Sequence, residues 1–118
     1  MKLTYDHGGE GDRLLVLLHG LGATRHVWKP MLTQDRWHGR WIAPDLRGHG
    51  ASPHASDYSL TAHADDIGEL VNAHTPSNDI IVLGHSMGGA IALKLASGAH
   101  GFHAETGVRY RHQSLMER

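Results

Sequence analysis

Residues 79–96 constrain the fold of this chain more than any other part of its sequence. A short apolar run at 80–83 ends at Gly84, and apolar residues return with helical spacing after Gly88. The run predicts a buried strand and the later spacing predicts a helix, so Ser86 lies in a sharp turn between them. This turn, here called the elbow (residues 84–88), fits the pattern G-x-S-x-G, whose glycines allow a bend tight enough to expose the serine hydroxyl.

The elbow makes Ser86 a candidate nucleophile. Met87 follows it at the predicted start of the helix, where unpaired N–H groups and the positive end of the helix dipole stabilise a developing oxyanion. Glycine-rich turns between a strand and a helix also bind phosphate or simply allow close packing, which is the alternative to catalysis. The buried strand before the turn and the small-residue helix after it favour catalysis.

The other predicted elements alternate in the order expected of a parallel sheet. Residues 14–18 form a continuous apolar run, which is typical of a strand covered on both faces. A second strand is predicted at 40–44 and a weak edge strand at 2–6, with helices near 24–32 and 58–74. This order predicts a three-layer α/β/α architecture with a mostly parallel sheet, whose loops gather at the carboxyl ends of the strands.

The end of the chain lacks this regularity. We therefore predict one portion of a domain at 1–97 and an irregular polar tail at 98–118, with no convincing fifth strand. In that arrangement the strand at 80–83 has no outer neighbour and forms a flat apolar edge. Such edges pair with other chains, so the sequence predicts self-association through this edge.

Charge and composition narrow the class of partner. A net charge of −1 leaves no basic surface for nucleic acid and no cationic face for a membrane, so a small molecule is the expected partner. The chain has no cysteine, and its 12 histidines lack H-x-x-x-H spacing, so we expect neither a metal nor a cofactor. The start of the sequence does not look like a signal peptide, which predicts a cytoplasmic location.

Three motifs on these elements together resemble the N-terminal part of an α/β-hydrolase-fold protein. They are His19-Gly20-Leu21-Gly22, Asp45-Leu46-Arg47-Gly48-His49-Gly50 and Gly84-His85-Ser86-Met87-Gly88-Gly89. The sequence is most similar to the branch of serine esterases, lactonases and carbon-carbon-bond hydrolases, over residues 2–97. The resemblance implies an incomplete α/β-hydrolase fold and hydrolysis of an ester or related acyl compound, because family members with other chemistries have aspartate at the position of Ser86.

The resemblance also implies roles for individual residues. Ser86 matches the nucleophile, and the N–H groups of Leu21 and Met87 match the oxyanion-hole donors. Supporting roles, mainly in ordering the loops of the site, fall to His19, Gly20, Gly84, His85, Gly88, Asp45 and Arg47. In the family the catalytic acid and histidine follow the elbow helix. The resemblance therefore implies a chain truncated before both groups, which is weakly active or inactive in isolation.

Three other hypotheses remain open at this point. The chain is a non-catalytic fragment, or a half-domain that another chain completes. Alternatively, a histidine of the tail (His100, His103 or His112) acts as the base, oriented by Glu105 or Asp45. A third hypothesis is a Rossmann-type nucleotide-binding module, in which Gly20-Leu21-Gly22 follows a strand and Asp45 binds a ribose; Arg25 then stands where the third glycine is expected.

Overall fold

The computed structural model describes residues 1–74, 79–99 and 108–112. Its strands are β1 (Tyr5–Gly8), β2 (Arg13–Leu18), β3 (Arg40–Pro44), β4 (Asp79–Gly84) and β5 (Val108–His112). Its helices are a 3₁₀ turn (Arg25–Trp28) that continues into α1 (Lys29–Thr33), then α2 (Leu60–His74) and α3 (Met87–Lys94), which runs on into a π-helical turn (Leu95–Ala99). None of the helices in these ranges is long and apolar enough to cross a membrane.

The five strands form one sheet in the order β1-β3-β2-β4-β5. Strand β1 is antiparallel to β3, and every other pair is parallel. The prediction of a mostly parallel sheet is therefore confirmed. Strand β2 lies at its centre, which explains its unbroken apolar run, because both of its faces are covered.

Helices cover both faces of the sheet. On one face, alternate residues of β2 (Leu14, Val16 and Leu18) pack with buried residues of α2 and α3. On the other face, Leu15 and Leu17 pack with Trp28 and with partly buried residues of α1. The predicted three-layer α/β/α architecture is confirmed, and the elbow joins the sheet to the layer that contains α2 and α3.

Strand β5 corrects the prediction that no fifth strand follows the elbow helix. It runs parallel to β4, with Ile80 opposite Val108 and Gly84 opposite His112. Since β4 has an outer neighbour, it is not the exposed edge on which the prediction of self-association was based. The sequence at 108–112 alternates apolar residues with arginines, so it lacks the continuous apolar run by which β2 was recognised. Residues 100–107 and 113–118 of the predicted tail lie outside the described residues.

Candidate active site

The backbone at Ser86 adopts a strained conformation between β4 and α3. Its φ of 56° and ψ of −117° place it outside the regions that residues with a side chain prefer. Hydrogen bonds on both sides hold it there: the N–H of His85 donates to the carbonyl of Leu18 (3.0 Å), and the N–H of Gly89 donates to the carbonyl of Ser86 (2.9 Å). The side chain is exposed and does not cap α3.

Two glycines of the elbow are required by close backbone contacts. A Cβ atom at Gly84 would lie 2.2 Å from the carbonyl oxygen of Gly88, and one at Gly88 would lie 2.1 Å from the carbonyl oxygen of Leu18. Neither contact is to a flexible side chain, so neither can be relieved by a rotamer change. The elbow therefore brings α3 into direct backbone contact with the end of β2.

The loop after β2 (residues 19–24) packs directly against the elbow. A Cβ atom at Gly20 would lie 3.2 Å from the Cβ atom of Ser86. The next residue, Leu21, is exposed, and neither its N–H nor that of Met87 has a hydrogen-bond partner in the part of the chain that the structure describes. Both residues line an open cleft of about 630 Å³, to which Tyr58 and His63 also contribute.

His19, in the protein interior, fixes the conformation of this loop. It is fully buried, and its Nε2 accepts a hydrogen bond from the N–H of Leu46 (3.0 Å). Its Nδ1 must then carry the proton, which it donates to the carbonyl of Gly20 (2.7 Å). Burial lowers the pKa of His19 below its ordinary value of 6.5, so the ring is neutral near pH 7.

Asp45 closes the loop that follows β3 and is fully buried. Its carboxylate accepts hydrogen bonds from the N–H groups of Arg25 (2.7 Å) and Ala51 (2.9 Å) and pairs with the Arg25 guanidinium (2.5 Å). Burial alone would raise the pKa of Asp45, but these donors and the nearby positive charge hold it below its usual range. These contacts engage both carboxylate oxygens of Asp45 in holding the loops, which disfavours a role in orienting a catalytic histidine or in binding a ribose. The nucleotide-binding module and the pairing of Asp45 with a tail histidine stay hypotheses.

Arg47 attaches the same loop to α2. Its Nε and Nη2 donate to the two carboxylate oxygens of Asp66 at 2.7 and 2.8 Å, and its Nη1 donates to the carbonyl of Asp57 (2.7 Å). Asp66 is 2% exposed, so this bidentate pair is largely shielded from water. The pair fixes the position of the loop after β3 relative to α2.

His49 joins the two loops, a contact that the sequence did not reveal. Its Nε2 accepts a hydrogen bond from the N–H of Gly22 (3.1 Å), and its Nδ1 donates to the carbonyl of Arg47 (3.0 Å). The loop that contains Leu21 is therefore held by His19 at one end and by His49 at the other. His85, which follows Gly84 in the elbow, is half-buried, and its Nδ1 has no partner among the described residues.

The sequence also failed to identify Tyr58 and His63 as residues of the cleft. Tyr58 precedes α2, and its ring fills the space beside Gly48. His63 is 2% exposed on α2, and burial together with the positive charge of Arg47 lowers its pKa. The only local signal was a histidine between two alanines in a predicted helix.

Comparison with known proteins gives one consistent result. Residues 13–99 match the family described as alpha/beta hydrolase fold. The chain is similar to the magnesium-chelatase 30 kDa subunit of Rhodobacter capsulatus (41% identity over 93 residues) and to protein phosphatase methylesterase 1 of Bos taurus (39% over 99 residues). These alignments cover 77% and 79% of this chain but 32% and 26% of the two relatives.

The structural comparison agrees with the sequence comparison. A solved structure described as a marine microorganism esterase superimposes with a TM-score of 0.79 at 28% identity, over 96% of this chain and 41% of that one. The chain thus spans between a quarter and two fifths of the length of these proteins.

Proposed function

Since this chain belongs to the α/β-hydrolase fold family, we propose that it contributes the nucleophile and the oxyanion-binding groups of a serine hydrolase that cleaves a small ester. One observation carries the proposal. Ser86 is held exposed in a strained turn, beside two backbone N–H groups that have no partner in the described part of the chain. Strain of this kind costs about 1–3 kcal/mol and is typical of functional sites.

The reaction assigns one task to each of these groups. The Oγ atom of Ser86 attacks the ester carbonyl carbon and gives up its proton to a general base, while the carbonyl electron pair moves onto oxygen. The N–H groups of Leu21 and Met87 bind that oxyanion, each contributing about 3 kcal/mol to the transition state. The intermediate then expels the alcohol, which takes the proton from the base. Water attacks the acyl-serine and releases the acid, restoring the Ser86 hydroxyl.

Among the described residues, no histidine or carboxylate side chain is hydrogen-bonded to Ser86. Both ring nitrogens of His19 are hydrogen-bonded inside the protein, and Asp45 is enclosed by its donors. The family order implies that the acid and histidine follow the elbow helix. We therefore expect the 118-residue polypeptide to turn over esters slowly, at the residual rate of about 10³–10⁴ over water that an oxyanion hole and substrate binding give alone.

The names of the relatives support an ester as the substrate class but do not identify its acyl group or its alcohol group. One relative is called a methylesterase and one structure an esterase, whereas another relative is called a subunit of magnesium chelatase. A small-molecule partner and a cytoplasmic location accordingly stay predictions. So does self-association, which now has no structural basis at β4.

Covalent labelling tests the proposal directly. Because the oxyanion-binding groups act without an identified base, we expect a fluorophosphonate probe to label the wild-type chain slowly on Ser86 and to leave Ser86→Ala unlabelled. Turnover of p-nitrophenyl acetate should exceed the Ser86→Ala background by a small margin. If the probe labels both proteins equally, and neither exceeds the other in turnover, Ser86 is not an activated nucleophile.

The second candidate function is a non-catalytic half-domain that another chain completes. The limited coverage of the relatives named above favours it, as does β5, whose outer side is not paired with any described strand. It differs from the first candidate in the labelling experiment, because a half-domain without a partner should leave Ser86 unlabelled.

A histidine supplied by the chain itself is tested by His112→Ala, since the backbone of His112 lies in register with Gly84. Loss of labelling in that variant would identify His112 as the base.

A further inference from the structure

His63 is a buried polar group whose hydrogen-bonding capacity is unused. It lies near the start of α2, and only 2% of it is exposed. Its Nδ1 is completely enclosed without a partner, whereas its Nε2 is not among the enclosed atoms. No hydrogen bond to Nε2 is found within the described part of the chain, so Nε2 is the nitrogen that a ligand in the cleft can reach. Buried polar side chains are nearly always paired, so an unpaired one requires an explanation.

The neighbours of His63 do not satisfy it. The ring of Tyr58 lies 6.2 Å away, centroid to centroid, and makes no hydrogen bond to it. Arg47 and Asp66 act on His63 electrostatically, but they are hydrogen-bonded to each other. Because burial and the charge of Arg47 lower the pKa of His63, the imidazole is neutral near pH 7 and offers one N–H donor and one acceptor.

His63 lines the same cleft as Leu21 and Met87, the residues whose N–H groups are assigned to the oxyanion. We propose that His63 determines specificity by hydrogen bonding through its Nε2 to a hydroxyl group in the non-reacting part of the ester. A hydroxyl both donates and accepts, so it matches Nε2 in either tautomer of the neutral imidazole, whereas an alkyl group of the same size leaves Nε2 unpaired. This inference rests on the proposed function, because it takes the cleft to be the ester site.

Binding measured without turnover tests the inference. In Ser86→Ala, NMR titration would give the affinities of two matched pairs of esters: methyl 3-hydroxypropanoate against methyl butanoate, and 2-hydroxyethyl acetate against propyl acetate. The members of each pair differ only by a hydroxyl in place of a methyl group. We expect the hydroxyl compound of at least one pair to bind about 10-fold more tightly. The pair that discriminates shows whether His63 faces the acyl or the alcohol side.

Substitution of His63 identifies the group responsible. His63→Leu in the Ser86→Ala background should reduce the preference to less than about twofold, and the ¹⁵N resonances of the His63 ring should shift only with the hydroxyl compounds. His38→Leu is the matched control, since His38 is 83% exposed, and it should keep the preference. If His63→Leu does not fold, His63→Asn, which retains a donor and an acceptor, should fold and keep part of the preference.

Three results would overturn the inference: equal affinities within both pairs, no binding of any of the four esters, or an unchanged preference in His63→Leu. These outcomes are distinct from failure of the proposed function. Labelling of Ser86 without any preference for a hydroxyl would remove the role of His63 alone. A preserved preference without labelling would leave a binding cleft without an activated serine.

Discussion

Replacing Gly88 with alanine tests the closest contact of the elbow. The added Cβ would lie 2.1 Å from the carbonyl oxygen of Leu18 and 2.7 Å from that of His19. Carbon and oxygen atoms normally approach no closer than about 3.3 Å, so α3 and the end of β2 must separate by about 1 Å. Overpacking of this kind costs about 1–3 kcal/mol, and a contact between two backbones belongs at the upper end. For a domain of this size, 3 kcal/mol lowers the melting temperature by roughly 10 °C or more.

The same displacement should impair the site. A shift of 1 Å at a reacting group costs about 100-fold in rate, so fluorophosphonate labelling of Ser86 should slow by about that factor. Thermal melts followed by circular dichroism and a labelling time course measure the two effects. Ala90→Ser is the control, because it adds one heavy atom to the same helix at an exposed position and should cost less than about 1 kcal/mol. If Gly88→Ala melted within 2 °C of the wild type, α3 and β2 would not be in the contact described here.

Three further predictions concern the loops. The free energy of unfolding should decrease as the pH is lowered below about 6.5, because the pKa values of His19 and His63 are lowered in the folded chain, so the unfolded chain binds more protons. Urea titrations at pH 7.5 and 5.5 measure this, and equal free energies at the two pH values would contradict it. Arg47→Met should destabilise the chain by about 3 kcal/mol, since it removes the bidentate partner of the buried Asp66 carboxylate and leaves it the terminal amino group of Met1 at 3.3 Å. A free energy of unfolding within 1 kcal/mol of the wild type would refute that. His49→Ala should slow the labelling of Ser86 with little change in melting temperature, because it removes the hydrogen-bond acceptor of the Gly22 N–H, next to Leu21. Labelling at the wild-type rate would show that His49 does not position this loop.

The elbow was predictable from the sequence because all of its determinants are local. The apolar run of β4, the glycines at 84 and 88, and the spacing of α3 lie within eighteen consecutive positions, residues 79–96. The central strand was predictable for a similar reason, since a strand buried on both faces needs no polar residues. The three layers followed from the order of these elements.

The parts that the sequence did not predict depend on distant contacts. Strand β5 has no apolar run of its own and is defined by its pairing with β4. Arg25 stands where a nucleotide-binding unit has its third glycine, and it pairs with Asp45, twenty positions away. No local pattern encodes that partnership, nor the burial of His63, which depends on where α2 packs against the sheet.

The left-handed backbone at Ser86 also determines when this residue differs from an ordinary serine. An isolated peptide would not keep that conformation, because no contact within the local sequence offsets the free energy of the strained backbone. It persists only when β2, β4 and α3 are assembled, through the contacts of Leu18 with His85 and Gly88. In a nascent or denatured chain, Ser86 is therefore no more reactive than an ordinary serine. Selective modification of Ser86 would show that the domain has folded.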